Sequence, residues 1–221
     1  MKGQSMPWIR KFTIYMKRTW VLLGAGCVWL VLIGIGEVSL LKYDFRPGVH
    51  SHAPEIWPVK SQIKPVNNLP ILVMFAHPKC PCTRASIGEL AKLVAHTQGK
   101  LSIYVLFVTP ANASSSWTKT DLWEAAVHIP SVHVAVDIES REANRFNSTT
   151  SGQTLLYDSH GRLLFSGGIT DSRGHSGDNR GRAIIESFLT DGVPVGPSKH
   201  TPVFGCFLPQ PRSSNLLRSS S

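Results

Sequence analysis

Hydrophobic positions fall in two regimes along this chain. From Trp20 to Leu41 they run almost unbroken for 22 residues, with Glu37 the sole charge. A helix of that length extends roughly 33 Å, against a bilayer hydrocarbon core of about 30 Å. The run is apolar on every face, so it predicts a membrane span rather than a core helix. From Leu69 onward the apolar residues come in short, spaced groups. Leu69–Phe75 (LPILVMF) and Leu101–Val108 (LSIYVLFV) have the length of buried strands. Between them, Ile87, Leu90, Ala91 and Val94 repeat at helical spacing, predicting an amphipathic helix over Thr83–Gln98 that Gly99 ends. A short helix at Asp121–His128, a strand at Val132–Val136 and a further short helix at Glu139–Phe146 follow. Thr154–Tyr157 and Arg162–Ser166 flank the turn Asp158-Ser159-His160-Gly161 and predict a hairpin. Asn179–Leu189 reads as the last helix, with Ile184, Ile185, Phe188 and Leu189 on its apolar side. The order β-α-β-α-β-α-β-β-α predicts an α/β domain with parallel crossovers first and an antiparallel hairpin last.

The remaining segments divide the chain. Residues 1–19 form a basic N-terminus, 20–41 the span, 42–68 a spacer rich in Pro (Pro47, Pro54, Pro58, Pro65), 69–208 the folded domain and 209–221 a Ser- and Pro-rich tail expected to be disordered. Hydrophobic residues are 42% of the 221, enough for a packed core. The formal charge is +9, but Lys2, Arg10, Lys11, Lys17 and Arg18 all precede Trp20, with no Asp or Glu among them. That flank predicts a cytoplasmic N-terminus and an extracytoplasmic domain. It also removes most of the case for nucleic-acid binding, since the body of the chain has no basic stripe interleaved with aromatics. A cleaved signal peptide is the rival reading; the apolar run is long for one, and no A-x-A site follows.

Cysteine chemistry sharpens the picture. Cys27 lies in the apolar run, and Cys80, Cys82 and Cys206 lie in the predicted domain. Three cysteines cannot build a dense disulfide framework, so they point to chemistry rather than stapling. Cys80-Pro81-Cys82 falls where a strand ends and a helix begins. There the helix dipole and free N–H groups stabilise a thiolate, the form that attacks disulfides or binds soft metals. Lys79 adds a positive charge. Cys206 lies beyond the last helix, with enough chain to return to Cys80; the open readings for it are a redox thiol, a metal ligand or a structural residue. Arg173 and His175 lie in the loop after the last strand.

Over Leu69–Leu189 the strand, the Phe five residues before a Cys, the Cys-bearing turn and the following helix resemble the thioredoxin family. More narrowly, the chain resembles the RedB-type membrane-anchored thioredoxin-like proteins of bacteria. The matching residues are Cys80-Pro81-Cys82, Ser151-Gly152-Gln153-Thr154-Leu155-Leu156-Tyr157-Asp158, Gly167-Gly168-Ile169-Thr170, Arg173-Gly174-His175 and Pro202-Val203-Phe204-Gly205-Cys206. The resemblance implies a thioredoxin-like fold, a central mixed sheet flanked by helices, a protein thiol or disulfide as partner, and a loop after the last strand that brings Arg173 and His175 to the sheet edge of Cys80. The departures matter. The second cysteine comes one residue early, Thr83 stands in its usual place, Lys79 replaces the usual Trp, and Ser151-Gly152-Gln153 occupies the position of the cis-Pro loop.

The leading expectation is a thiol–disulfide oxidoreductase, with Cys80 attacking, Cys82 or Cys206 resolving, His175 and Lys79 tuning charge, and no organic cofactor. A copper-handling protein using Cys80, Cys82 and Cys206 as Cu(I) ligands is the first alternative. A non-catalytic binding module on the same fold is the second.

Overall fold

The computed structural model describes residues 7–49, 51–64, 68–193 and 199–209, with side chains from residue 16 on. The chain divides into two compact units, Met1–Tyr43 and Asp44–Ser221.

The first unit is a single helix, α1 (Pro7–Asp44), longer at both ends than the apolar run itself. Within its stretch Met16–Asp44 an 18-residue window has a mean hydropathy of 2.2 and is not buried, so the helix is long and apolar enough to cross a membrane. The Ser39 hydroxyl donates to the Ile35 carbonyl at 2.8 Å, which satisfies a polar group on an otherwise apolar surface.

The second unit is built on five strands: β1 (Ile71–Ala76), β2 (Ser102–Thr109), β3 (Val132–Ile138), β4 (Gln153–Tyr157) and β5 (Leu163–Gly167). Their order in the sheet is β3-β2-β1-β4-β5. β1 pairs in parallel with β2, and β2 with β3. β4 runs antiparallel to both β1 and β5. The central strand β1 is buried along its whole length, and its side chains alternate between two cores. Leu72, Met74 and Ala76 join a cluster with Leu90, Phe107, Phe165 and Ile184, under helices α2 (Pro81–Thr97) and α6 (Arg180–Asp191). Ile71, Val73 and Phe75 join the other, with Phe146, Leu155 and Tyr157. Three short helices complete the unit: α3 (Ser115–Thr118), which periodicity did not predict, α4 (Asp121–Val127) and α5 (Arg141–Arg145). Gln98, at φ 36°, and Gly99, at φ 78°, together turn the chain out of α2.

The stretch 42–68, expected as an extended spacer, is instead part of the domain over most of its described residues. Trp57 lies edge-on to Phe146 and Tyr157, with ring centroids 4.9 and 5.1 Å away. Ala53 and Ile63 are buried. Ile56 bridges Arg162 on the hairpin, and the Tyr157 hydroxyl donates to Pro54 O at 2.9 Å. The prolines supply stiffness and the apolar residues between them supply anchorage, so the segment lies along the sheet. His50, Pro65 and residues 210–221 of the tail lie outside the described residues.

Candidate active site

β1 delivers the chain to the top of the sheet, where Pro78 and Pro81 bracket a tight turn into α2. Cys80 is the N-cap residue of that helix, in extended conformation (φ −90°, ψ 114°), and Pro81 begins the first turn. Proline is pre-organised for that first position because its missing N–H has no helical partner there. Cys80 N donates to His77 O at 3.1 Å and Thr83 N to Cys80 O at 3.1 Å, which fixes the turn.

Ser151 and Gly152, just before β4, lock onto this turn from the other side. Gly152 N donates to Phe75 O at 2.7 Å. The Ser151 hydroxyl accepts from His77 N at 2.7 Å and lies 2.6 Å from the Thr83 hydroxyl in a buried contact. No cis peptide bond occurs among the described residues, so this loop holds the turn through a serine side chain.

The C-terminal stretch completes the site. Ser151 N donates to Cys206 O at 2.8 Å, and Cys206 N donates to the Cys80 sulfur at 3.3 Å. Gly205 is required beside it: a Cβ there would meet Ser151 O at 1.9 Å. Gly205→Ala is therefore expected to push this stretch away and to speed alkylation of Cys80 by iodoacetamide, measured above the ordinary thiol pKa so that ionisation does not limit. An unchanged rate would show that the stretch is not the cover.

The structure thus brings Cys80, Cys82 and Cys206 together. All are free thiols; Cys80 and Cys82 are buried and Cys206 is half-buried. Burial pushes the Cys80 pKa up, but hydrogen bonds from the Cys206 thiol, from Thr83 and from both backbones outweigh it and leave the value below 9.0. Cys82 moves the other way: burial and the neighbouring Cys80 charge raise it, against a hydrogen bond and charge from Arg173. Burial and the Cys80 thiolate push Cys206 up to about 12. Of the three sulfurs, Cys80 is the one shifted toward the thiolate, and Cys82 and Cys206 are shifted toward the thiol.

His175 is not brought to the thiols. It is exposed in its loop, and its backbone N–H points to Ser172 O at 3.4 Å. Arg173, two residues earlier, takes that place, reaching Gly205 O at 2.9 Å as well as Cys82. Lys79 lays its ammonium over Trp117, 5.1 Å from the ring centroid. Arg173 also lines a cavity of about 310 Å³ with Arg46, Thr150 and Phe207 beside Gly205. Among the described residues, no group of three or more His, Cys, Asp or Glu side chains is disposed to hold a metal ion.

Two residues outside the expected set support the site. Ser151 has just been described. Glu89 is buried on α2 and gathers the loop that carries Arg173. Its carboxylate accepts from Ser176 Oγ at 2.8 Å, Gly177 N at 2.9 Å and Asn179 Nδ2 at 3.0 Å, and pairs with Arg182 at 3.2 Å.

A parallel β1-β2-β3 core, an antiparallel β4–β5 hairpin and a cysteine at the β1–α2 turn define a thioredoxin-like fold. The similar solved structures agree on architecture. One is an uncharacterised conserved protein from Geobacillus kaustophilus, 20% identical over 77% of this chain and 95% of that one, with a TM-score of 0.56. Another is a hypothetical protein from Sinorhizobium meliloti 1021, 21% identical over 66% and 82%, with a TM-score of 0.52. A secreted disulfide oxidoreductase from Mycobacterium tuberculosis aligns over 43% of this chain and 66% of its own, at 14% identity and a TM-score of 0.35. No protein-family model and no curated protein matches the sequence.

Proposed function

We propose that this protein is a thiol–disulfide oxidoreductase held to a membrane by α1, with its thioredoxin-like domain on the extracytoplasmic side. The observation that carries this reading is Cys80: a buried cysteine at a helix N-terminus, its pKa lowered, with two further thiols against it. A thiolate is the attacking species in disulfide exchange, and a second thiol close by is what releases the mixed disulfide. The cations before Trp20 support the topology. The narrower kinship with RedB-type proteins belongs to the same proposal and rests on the runs quoted above. The partner is a protein thiol or disulfide, and the reaction needs no organic cofactor.

The test is a redox titration. Full-length protein in detergent is equilibrated across glutathione buffers, trapped by alkylation and mapped by peptide. A reversible disulfide containing Cys80, with one defined potential, is expected. If Cys80 stays alkylatable across the whole range, the reading fails. Anaerobic loading of the reduced protein with Cu(I), followed by metal analysis, then decides the copper alternative.

A further inference from the structure

The stretch Lys199–Pro209 is neither helix nor regular strand, yet it is laid across the domain by backbone hydrogen bonds. Ser166 N donates to Lys199 O at 3.1 Å, Gly168 N to Pro202 O at 3.2 Å, Gly48 N to Val203 O at 2.8 Å and Leu208 N to Thr149 O at 2.8 Å. It works as a strap, and its one thiol comes down on Cys80. Cys80 has no exposed surface, so a disulfide substrate reaches its sulfur only after the strap has moved.

We propose that Cys206, rather than Cys82, is the resolving thiol, carried off and back onto Cys80 by this strap in each catalytic cycle; the proposal rests on the oxidoreductase reading above. Geometry separates the two candidates. Cys82 is near enough for its sulfur to interact with that of Cys80, but only one residue separates them, so a disulfide between the two closes a small, tight ring at the start of α2. Pro81 between the cysteines has a fixed φ. Closing a bond from Cys80 to Cys82 therefore requires distorting the helix start. Cys206 carries no such restraint. It lies 126 residues away in sequence and is tied to the site only by strap hydrogen bonds.

The exchange balances without any further oxidant. The Cys80 thiolate attacks one sulfur of a substrate disulfide RS–SR′, forming Cys80–S–S–R and releasing R′S⁻. Cys206 gives up its proton to solvent, and its thiolate attacks the Cys80 sulfur, forming Cys80–S–S–Cys206 and releasing RS⁻. Two electrons pass from the protein dithiol to the substrate. The order is set by charge. While Cys80 is a thiolate, it holds the proton of Cys206 by hydrogen bond and by repulsion. Once Cys80 is in a mixed disulfide, that charge is gone and Cys206 ionises more readily.

The test uses the full-length protein in detergent, reduced, in a Cys27→Ser background, with one equivalent of Ellman's reagent per chain as the substrate disulfide. The unmodified site is expected to release two thionitrobenzoate ions per chain, the second following the first. Cys206→Ser is expected to stop after one, leaving the adduct on Cys80, while Cys82→Ser still releases two. Tryptic peptides read the linkage directly: Cys80 and Cys82 share the peptide Cys80–Arg84, and Cys206 lies in His200–Arg212. A cross-link between those two peptides that persists in Cys82→Ser supports the proposal, and this readout stands if Cys206→Ser does not fold. A Cys80–Cys82 disulfide with full release from Cys206→Ser overturns it and leaves the oxidoreductase reading intact. No reaction at Cys80 in any form overturns both.

Discussion

Serine at position 80 is expected to reduce disulfide exchange to the uncatalysed rate and to remove the labelling of this site by iodoacetamide at neutral pH. Both effects come from one sulfur. The Cys80 pKa is the balance of two opposed causes: burial raises it, and hydrogen bonds from Cys206 and Thr83, side chain and backbone, lower it further than burial raises it. A serine hydroxyl in the same place does not ionise near neutrality and cannot attack a disulfide. Neither neighbour replaces it, because burial, the largest cause of the raised pKa at both Cys82 and Cys206, remains when the Cys80 charge is gone. The pH dependence follows. The thiolate fraction grows as pH rises, so labelling of Cys80 should climb with a midpoint below 9.0, ahead of Cys82 and Cys206. Stopped-flow alkylation with peptide mapping measures all three. Turnover retained in Cys80→Ser, or a Cys80 midpoint above 9.0, would contradict the assignment. Thr83→Val removes one of the lowering hydrogen bonds and should shift the same midpoint upward.

The parts of this fold that were legible in the sequence are those set by local periodicity. Short continuous apolar runs mark β1 and β2, helical spacing marks α2, and a turn of Asp, Ser, His and Gly marks the β4–β5 hairpin. Cys80-Pro81-Cys82 could be placed because it sits between two such elements. What was not legible depends on distant partners. In 42–68 the prolines drew attention from Ala53, Trp57 and Ile63, whose burial needs the hairpin and α5 to be in place. The loop after β5 was expected at the cysteines, but which residue turns inward is decided by Glu89. It holds Ser176 and Asn179, 87 and 90 residues away, and leaves Arg173 facing the thiols and His175 in solvent. The clue was a glutamate in α2 beside the apolar stripe, and one carboxylate in a helix says little by itself.

That carboxylate carries the largest stability prediction. Every group that meets Glu89 is a donor: Lys92 Nζ at 2.7 Å, Ser176 Oγ, Gly177 N, Asn179 Nδ2 and the Arg182 guanidinium. An ionised carboxylate can accept all of them, and its side chain is wholly buried. Glu89→Gln preserves the shape but points an amide NH₂ at some of those donors and leaves Arg182, itself mostly buried, with only Asp178 at 3.3 Å and Glu186 at 3.7 Å as counter-charges. Breaking one side of a buried pair costs about 3–5 kcal/mol where no other counter-charge remains, so the lower end, about 3 kcal/mol, is expected here. For a domain of this size that lowers Tm by roughly 10 °C, measured by circular dichroism. Burial raises the Glu89 pKa, and hydrogen bonds from Lys92, Ser176 and Gly177 lower it by more, to below 4.5. The stabilisation is therefore complete above pH 4.5 and is lost as pH falls through the depressed folded value. The Tm gap between wild type and Glu89→Gln should accordingly be widest near neutrality and narrow in acid. A gap that stays constant with pH would place the loss in packing rather than charge. Because Glu89 also fixes the loop that delivers Arg173, the same variant should raise the Cys82 pKa further, as its cationic neighbour loosens. A lowered Tm with an unmoved Cys82 titration would separate the scaffold from the site and show that Arg173 keeps its place without Glu89.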